Sequence, residues 1–244
     1  MVVLELLVMM FNTKNIDSLE LEKYQTKINL FVSTLNHITD EIVEGKGRYY
    51  HISKDKSYPS VTTVLGKLSD KSWLEDWRNR VGPEEAAKIT KASCDRGTSM
   101  HLLCEMYLNN ELDLEWAKTE LGYTLFKSLE MMYLKKITAL AQEIPLWSDK
   151  LKVAGRTDCI GYYDGVLSII DFKTSRRDKS SSMIEDYFLQ STLYSIMLYE
   201  QTGIMCKQIV ILIGVDSSYP LVFKRDTKDY VKKCIDLMRQ YYEN

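Results

Sequence analysis

The sequence predicts an α/β protein with a mixed central sheet flanked by helices, preceded by an N-terminal helical region. Three observations predict it. Helical patterning fills most of the first 135 residues. A hairpin signal, "VAGRTDCIGYYDGVLSIIDFKTS", then runs from Val153 to Ser175. Helix, strand, edge strand and helix follow, an alternation that layers helices onto a sheet.

The elements are expected in this order. The N-terminal "MVVLELLVMMF" is apolar but carries Glu5 and lacks a basic flank. It is too short to span a bilayer and lacks the Arg-rich look of a transit peptide. It reads as a buried strand or short helix, or as an extension upstream of a start near Met9 or Met10. Residues 17–45 look helical, with no breaker before Gly45. "RYYHISKDKSYPS" alternates like a short hairpin with Lys54-Asp55 at its tip. "SVTTVLGKLSDKSWLEDWRNRVG" reads as one helix capped by Ser60. Pro83 suits the first position of the next, which runs to about Asn110 with a break near Gly97. "DLEWAKTELGYTLFKSLEMMYLKKI" reads as one long amphipathic helix. Strands are expected at about 139–147, 152–163 and 166–174. The following helix carries a capping box, Ser182 with Glu185, and a Gly203 stop. "KQIVILIGV" reads as an interior strand, "PLVFKR" as an edge strand, and 226–243 as a final helix.

Composition bounds the function. The chain has 244 residues, is 45% hydrophobic and 27% charged, and carries a net charge of −2. That is ordinary for a soluble globular protein and excludes a global basic field, though not a local basic groove. The five cysteines are widely spaced with no C-x-x-C, which argues against a zinc knuckle or a disulfide framework and fits a reducing cytoplasm.

The hairpin places carboxylates where a core should be. Asp164-Gly165 is a strong type I′ turn signal. With those two residues in the loop, Tyr163 faces Val166, and the same register sets Asp158 directly opposite Asp171. Their Cβ atoms would lie about 5 Å apart. Side chains alternate along a strand, so Lys173 shares the face of Asp171. Opposed like charges destabilise a sheet, and a hard divalent cation is the simplest compensation. The alternative is a solvent-facing hairpin whose acids pair with Arg156 and Lys173.

Other constellations are weaker. His101 sits in "RGTSMHLLCEMYL", one turn before Glu105, and reads as a core residue or a ligand. Gln190 and Tyr194 share a helix face. Trp73 and Trp77 do too, and could stack bases or pack a core. Arg156, Arg176, Arg177 and Lys179 would suit phosphates.

Taken together, "RGTSMH", "GRTD", "IIDFKTS" and "QSTLY" resemble the RecB-type branch of the PD-(D/E)XK nucleases. Within it, "YPSVTTVL" and "WRNRVG" resemble the mitochondrial genome maintenance exonucleases and their phage and bacterial relatives. The resemblance covers roughly residues 48–200. It implies a restriction-endonuclease-like core at 136–244, a helical arch or wall at 48–135 carrying His101, and an N-terminal extension at 1–47. It implies that His101, Asp158, Asp171 and the Phe172 carbonyl bind Mg²⁺ or Mn²⁺. Lys173 would orient or deprotonate the attacking water. Gln190 and Tyr194 would support the site, with Glu143 at the start of the preceding strand. Arg96, Thr98, Arg156, Thr174, Ser175 and Arg176, with Trp73 and Trp77, would support it or contact DNA. No iron–sulfur cluster is expected, because Cys206 and Cys234 do not make that pattern.

The implied function is a metal-dependent exonuclease on single-stranded DNA with a free end, in phage or bacterial replication, recombination or repair. Replication or recombination proteins would be its partners and the cytoplasm its compartment, with no membrane role. A structure-specific endonuclease and a non-catalytic DNA-binding module are the alternatives.

Overall fold

The computed structural model describes residues 18–70, 72–216 and 218–243; the reading of the first eleven residues lies outside them. Helix α1 (Ser18–Val32) is followed by strands β1 (Thr39–Val43), β2 (Gly47–Ser53) and β3 (Lys56–Pro59), which form an antiparallel sheet in that order. The single helix expected over 17–45 is therefore a helix and a strand. Ser33 and Thr34 turn their hydroxyls back onto the carbonyls of Leu30 and Phe31, both at 2.7 Å. That ends the helix by local competition for backbone acceptors. The expected hairpin tip is present, with Ser53 paired to Lys56 across Lys54-Asp55.

Helix α2 (Val61–Leu68) starts at Ser60, whose hydroxyl accepts from the Thr63 amide at 3.0 Å. The one helix expected here is two. Ser69 adopts an extended backbone, and Asp70 accepts from the Ser72 amide at 2.9 Å, which starts α3 (Ser72–Val81). Helix α4 (Pro83–Leu108) has Pro83 in its first turn and runs unbroken through Gly97. Gly97 keeps a helical backbone, and a Cβ there would sit 3.7 Å from Thr174 Oγ1, an ordinary contact, so this glycine packs beside the sheet and does not end the helix. The long helix expected over 113–137 is a short α5 (Leu114–Ala117), a turn, α6 (Tyr123–Met132) and a single 3₁₀ turn. Gly122 makes the turn. A Cβ there would lie 2.2 Å from the Met100 amide nitrogen, and the Gly122 N–H donates to Ser99 Oγ at 3.0 Å.

The main sheet has five strands in sequence order: β4 (Ile137–Ser148), β5 (Val153–Tyr163), β6 (Val166–Ser175), β7 (Gln208–Val215) and β8 (Leu221–Asp226). All neighbours are antiparallel except β6 and β7, so the sheet is mixed. Helix α7 (Glu185–Thr202) supplies the crossover between the parallel pair, and α8 (Lys228–Glu243) closes the chain. Gly203 stops α7 at φ 71°, as its sequence position predicts. The expected capping box does not form. Ser182 pairs with Ser180 at 2.9 Å within a 3₁₀ turn, and α7 begins at Glu185.

Both faces of the sheet are covered, so β6 and β7 read as continuous apolar runs. Cys159, Ile170, Phe172, Val210 and Leu212 pack with Met100, Leu103 and Phe126 from α4 and α6. Ile160 and Ile169 pack with Leu193 and Met197 of α7 and with Val231 and Met238 of α8. Tyr50, Val61, Val64 and Leu65 join this second core, which ties the small sheet and α2 to the large one.

Candidate functional site

The site lies where β5 and β6 part. Asp164 and Gly165 have φ of 48° and 79°, both left-handed as a type I′ turn requires. The register they set holds from Tyr163–Val166 to Cys159–Ile170, one residue short of the two aspartates. There the ladder gives way. Asp158 Oδ2 accepts the Phe172 N–H at 2.8 Å, and its carboxylate lies 3.4 Å from His101 Nδ1 on α4. The backbone group of Phe172 that meets Asp158 is thus its amide.

Asp171 is fully enclosed, with its oxygens accepting no hydrogen bond of ordinary geometry. Its partner is the ammonium of Lys173, 2.5 Å from Oδ2. Lys173 also lies 5.1 Å from the ring centre of Tyr187. Burial raises the pKa of Asp171, with Lys173 opposing and Asp158 reinforcing. For Lys173, burial favours the neutral amine, but the combined pull of Asp171 and Asp158 outweighs it and raises the pKa.

Glu143 joins the cluster through an unusual backbone. On β4, Gln142 pairs with Cys159 and Ile144 with Thr157, so Glu143 falls opposite Asp158 with φ of 50°. A left-handed conformation costs a non-glycine residue about 1–2 kcal/mol. The guanidinium of Arg156, which donates to the Glu143 carbonyl, holds it there. Burial pushes the Glu143 carboxyl up to about 7, with help from Asp158 and Glu105 and against Arg156. His101 is held below its ordinary value by burial, which outweighs Asp158. It is therefore available as a neutral imidazole, the form that ligates metals.

One donor atom each from His101, Glu143 and Asp158 lies within 4.8 Å of the others, a group that could hold a metal ion. Asp171, expected in that set, faces Lys173 instead. Glu143, expected as a supporting residue at the start of its strand, stands in the middle of β4 within the cluster. The nitrogen and carboxylate donors suit Mn²⁺ and Mg²⁺.

The cluster opens into a cavity of about 590 Å³, within the range of small-molecule sites. Thr98, Arg156, Lys173, Gln190 and Tyr194 line it, as do Arg48, Tyr50, Thr62 and Glu105, for which no site role is expected from the sequence. Gln190 Nε2 donates to Tyr194 Oη at 3.0 Å, and both are buried. Gly155 makes room for that tyrosine, since a Cβ there would meet Tyr194 Cε1 at 2.7 Å.

The remaining candidates lie outside the cavity lining. Arg96 is bound by Asp216, beyond the end of β7. Ser175 Oγ donates to the Arg177 carbonyl at 2.6 Å. Arg176 and Arg177 are exposed, Lys179 is half-buried, and Thr174 stands against Gly97. Helix α3 has no buried residue; Trp73 is 65% exposed and Trp77 half-buried. Among the described residues, no helix is long and apolar enough to cross a membrane.

No family model matches the sequence. A stretch of 130 residues, 50% of this chain, is 27% identical to mitochondrial genome maintenance exonuclease 1 of Mus musculus. The match spans 38% of that protein's length. Among solved structures, a candidate exonuclease from Eubacterium rectale aligns with 61% of this chain and 65% of its own, at a TM-score of 0.44 and 10% identity. A second, known by a locus name, aligns with 91% of this chain and 85% of its own, at a TM-score of 0.39 and 12% identity.

Proposed function

We propose that this chain is a metal-dependent DNA exonuclease of the PD-(D/E)XK type, RecB-like branch, acting on single strands with a free end. The observation that carries the reading is the meeting of Asp158, Glu143 and His101 beside the Asp171–Lys173 pair at the parting of β5 and β6. The similarity to the mouse exonuclease supports it.

His101, Glu143 and Asp158 would hold Mg²⁺ or Mn²⁺, which supplies Lewis-acid polarisation of a phosphate and a more acidic water. The chain's own residues do the rest. Asp158 is fixed by the Phe172 amide and His101, and Glu143 by its backbone and Arg156. Asp171 keeps Lys173 charged and fixes its ammonium at the cavity wall. A fixed ammonium orients the water and stabilises negative charge as it develops on the phosphate. Arg156 supplies a donor fork for the strand's phosphates. Helices in the 48–135 segment would wall the path of the strand, and replication or recombination proteins would deliver it.

A free-end requirement tests the exonuclease assignment. Linear single-stranded DNA is expected to be degraded with Mg²⁺ or Mn²⁺, while closed circular single strands of the same sequence survive. Equal degradation of circles would return the assignment to an endonuclease.

Trp73 gives a second test. Its exposure leaves it free to stack, and base–aromatic stacking is worth about 1–3 kcal/mol per base. Trp73→Ala should therefore weaken single-strand binding by roughly 5- to 150-fold without lowering the melting temperature. Unchanged oligonucleotide affinity in a fluorescence titration would remove Trp73 from the binding path.

A further inference from the structure

The cavity has a second wall that the metal cluster does not use. Strand β2 and the first turn of α2 build it. Arg48, Tyr50, Ser60 and Thr62 line the cavity together with Arg156. The wall is rigid. The Arg48 amide donates to Thr63 Oγ1 at 2.9 Å, and the Arg48 carbonyl accepts from Ser60 N at 2.8 Å. Gly47, next in chain, must be a glycine, because its φ is 102° and a Cβ would meet Thr63 at 2.7 Å. Ser60 also bridges to Ala154 of β5, which locks the wall to the strand that carries Asp158.

Its chemistry differs from the acidic side. Tyr50 is buried; burial and Asp40 raise the pKa of its hydroxyl, against the opposing pull of Arg48 and Arg156. Arg48 makes a long contact, 3.5 Å from its Nε to Asp40, on a half-exposed side chain. The start of α2 adds the positive end of a helix. Two guanidiniums, a phenol, a threonine hydroxyl and a helix start on one wall make an anion site. The acidic cluster faces the same cavity.

We propose that Arg48, Tyr50 and Thr62, with Arg156, form a second phosphate subsite that grips the phosphate next to the one being cut. The proposal rests on the nuclease reading, in which the polynucleotide strand offers neighbouring phosphates joined at a fixed spacing. The subsite sets register: the strand enters with one phosphate on the basic wall and its neighbour against the carboxylates.

The test is binding of a labelled single-stranded oligonucleotide, with Ca²⁺ present, whose phosphates are replaced one at a time by neutral methylphosphonate. For the wild type, one position near the end is expected to cost about 10- to 100-fold in affinity. Arg48→Ala should weaken the unmodified oligonucleotide to a similar degree and lose sensitivity at that position alone. Its log–log salt slope should shrink by about 0.7, the value of one single-strand phosphate contact. Arg48→Lys should restore the slope. Melting temperatures separate this from misfolding, which would not single out one phosphate. Cleavage of the same set by the wild type locates the cut bond, which should adjoin the sensitive position. Penalties for Arg48→Ala and methylphosphonate that multiply at every position would overturn the subsite, as would a sensitive position remote from the cut. Binding with the expected pattern but no cleavage would support the subsite and overturn the nuclease reading.

Discussion

Asp158→Asn is expected to abolish cleavage, by at least about a thousandfold, while single-stranded DNA binding is kept or improved. Asp158 lies between the His101 imidazole and the Phe172 amide, opposite Glu143 on the neighbouring strand. Asparagine retains an oxygen to accept the Phe172 N–H, so the parting of β5 and β6 survives. What it loses is the charge that a divalent cation requires, and that loss also relieves repulsion of phosphate. Rates with labelled DNA and affinities from anisotropy check both halves. A variant that cleaves near the wild-type rate in Mg²⁺ removes Asp158 from the metal site.

Lys173→Ala is expected to reduce the maximal rate by roughly a hundred- to a thousandfold with Mn²⁺ binding retained. The reason is the division of labour in the site. The group placed to hold a metal is His101, Glu143 and Asp158, whereas Lys173 is held by Asp171 at 2.5 Å and lines the cavity. Its raised pKa keeps it an ammonium, so its contribution is a positive charge placed before the reaction begins. Calorimetric titration with Mn²⁺ alongside single-turnover kinetics distinguishes this from a ligand defect. Loss of Mn²⁺ affinity with an unchanged rate at saturating metal would contradict the role.

How much of this was legible in the sequence depends on whether the cause is local. Asp164-Gly165 fixes the hairpin by its own backbone, so the register as far as Cys159–Ile170 follows from a few residues, and alternation along β6 puts Lys173 beside Asp171. Gly203 and Pro83 act in the same local way. Gly97 and Gly122 show the limit. A break is expected at Gly97 and none at Gly122, yet Gly97 lies within a continuous helix beside Thr174 and Gly122 bends the chain against Met100. Only the tertiary partner distinguishes them.

Glu143 is the same problem within the site. Its place in the cluster with His101 and Asp158 comes from a left-handed backbone and from Arg156, thirteen residues away. Neither is encoded by its neighbours. Arg48 and Tyr50 reach the cavity because β2 and α2 dock on β5, about a hundred residues further along. Position along the chain carries no hint of that.

Whether these groups make a metal-dependent nuclease site is decided by a metal-dropout digestion. End-labelled linear single-stranded DNA is incubated with the purified wild-type chain in Mg²⁺, in Mn²⁺ and in excess chelator, and products are resolved by length. Shortening in either metal, its absence in chelator and its recovery on adding metal back are the predicted results. Intact DNA in every metal tested, or equal shortening in chelator, would contradict the claim.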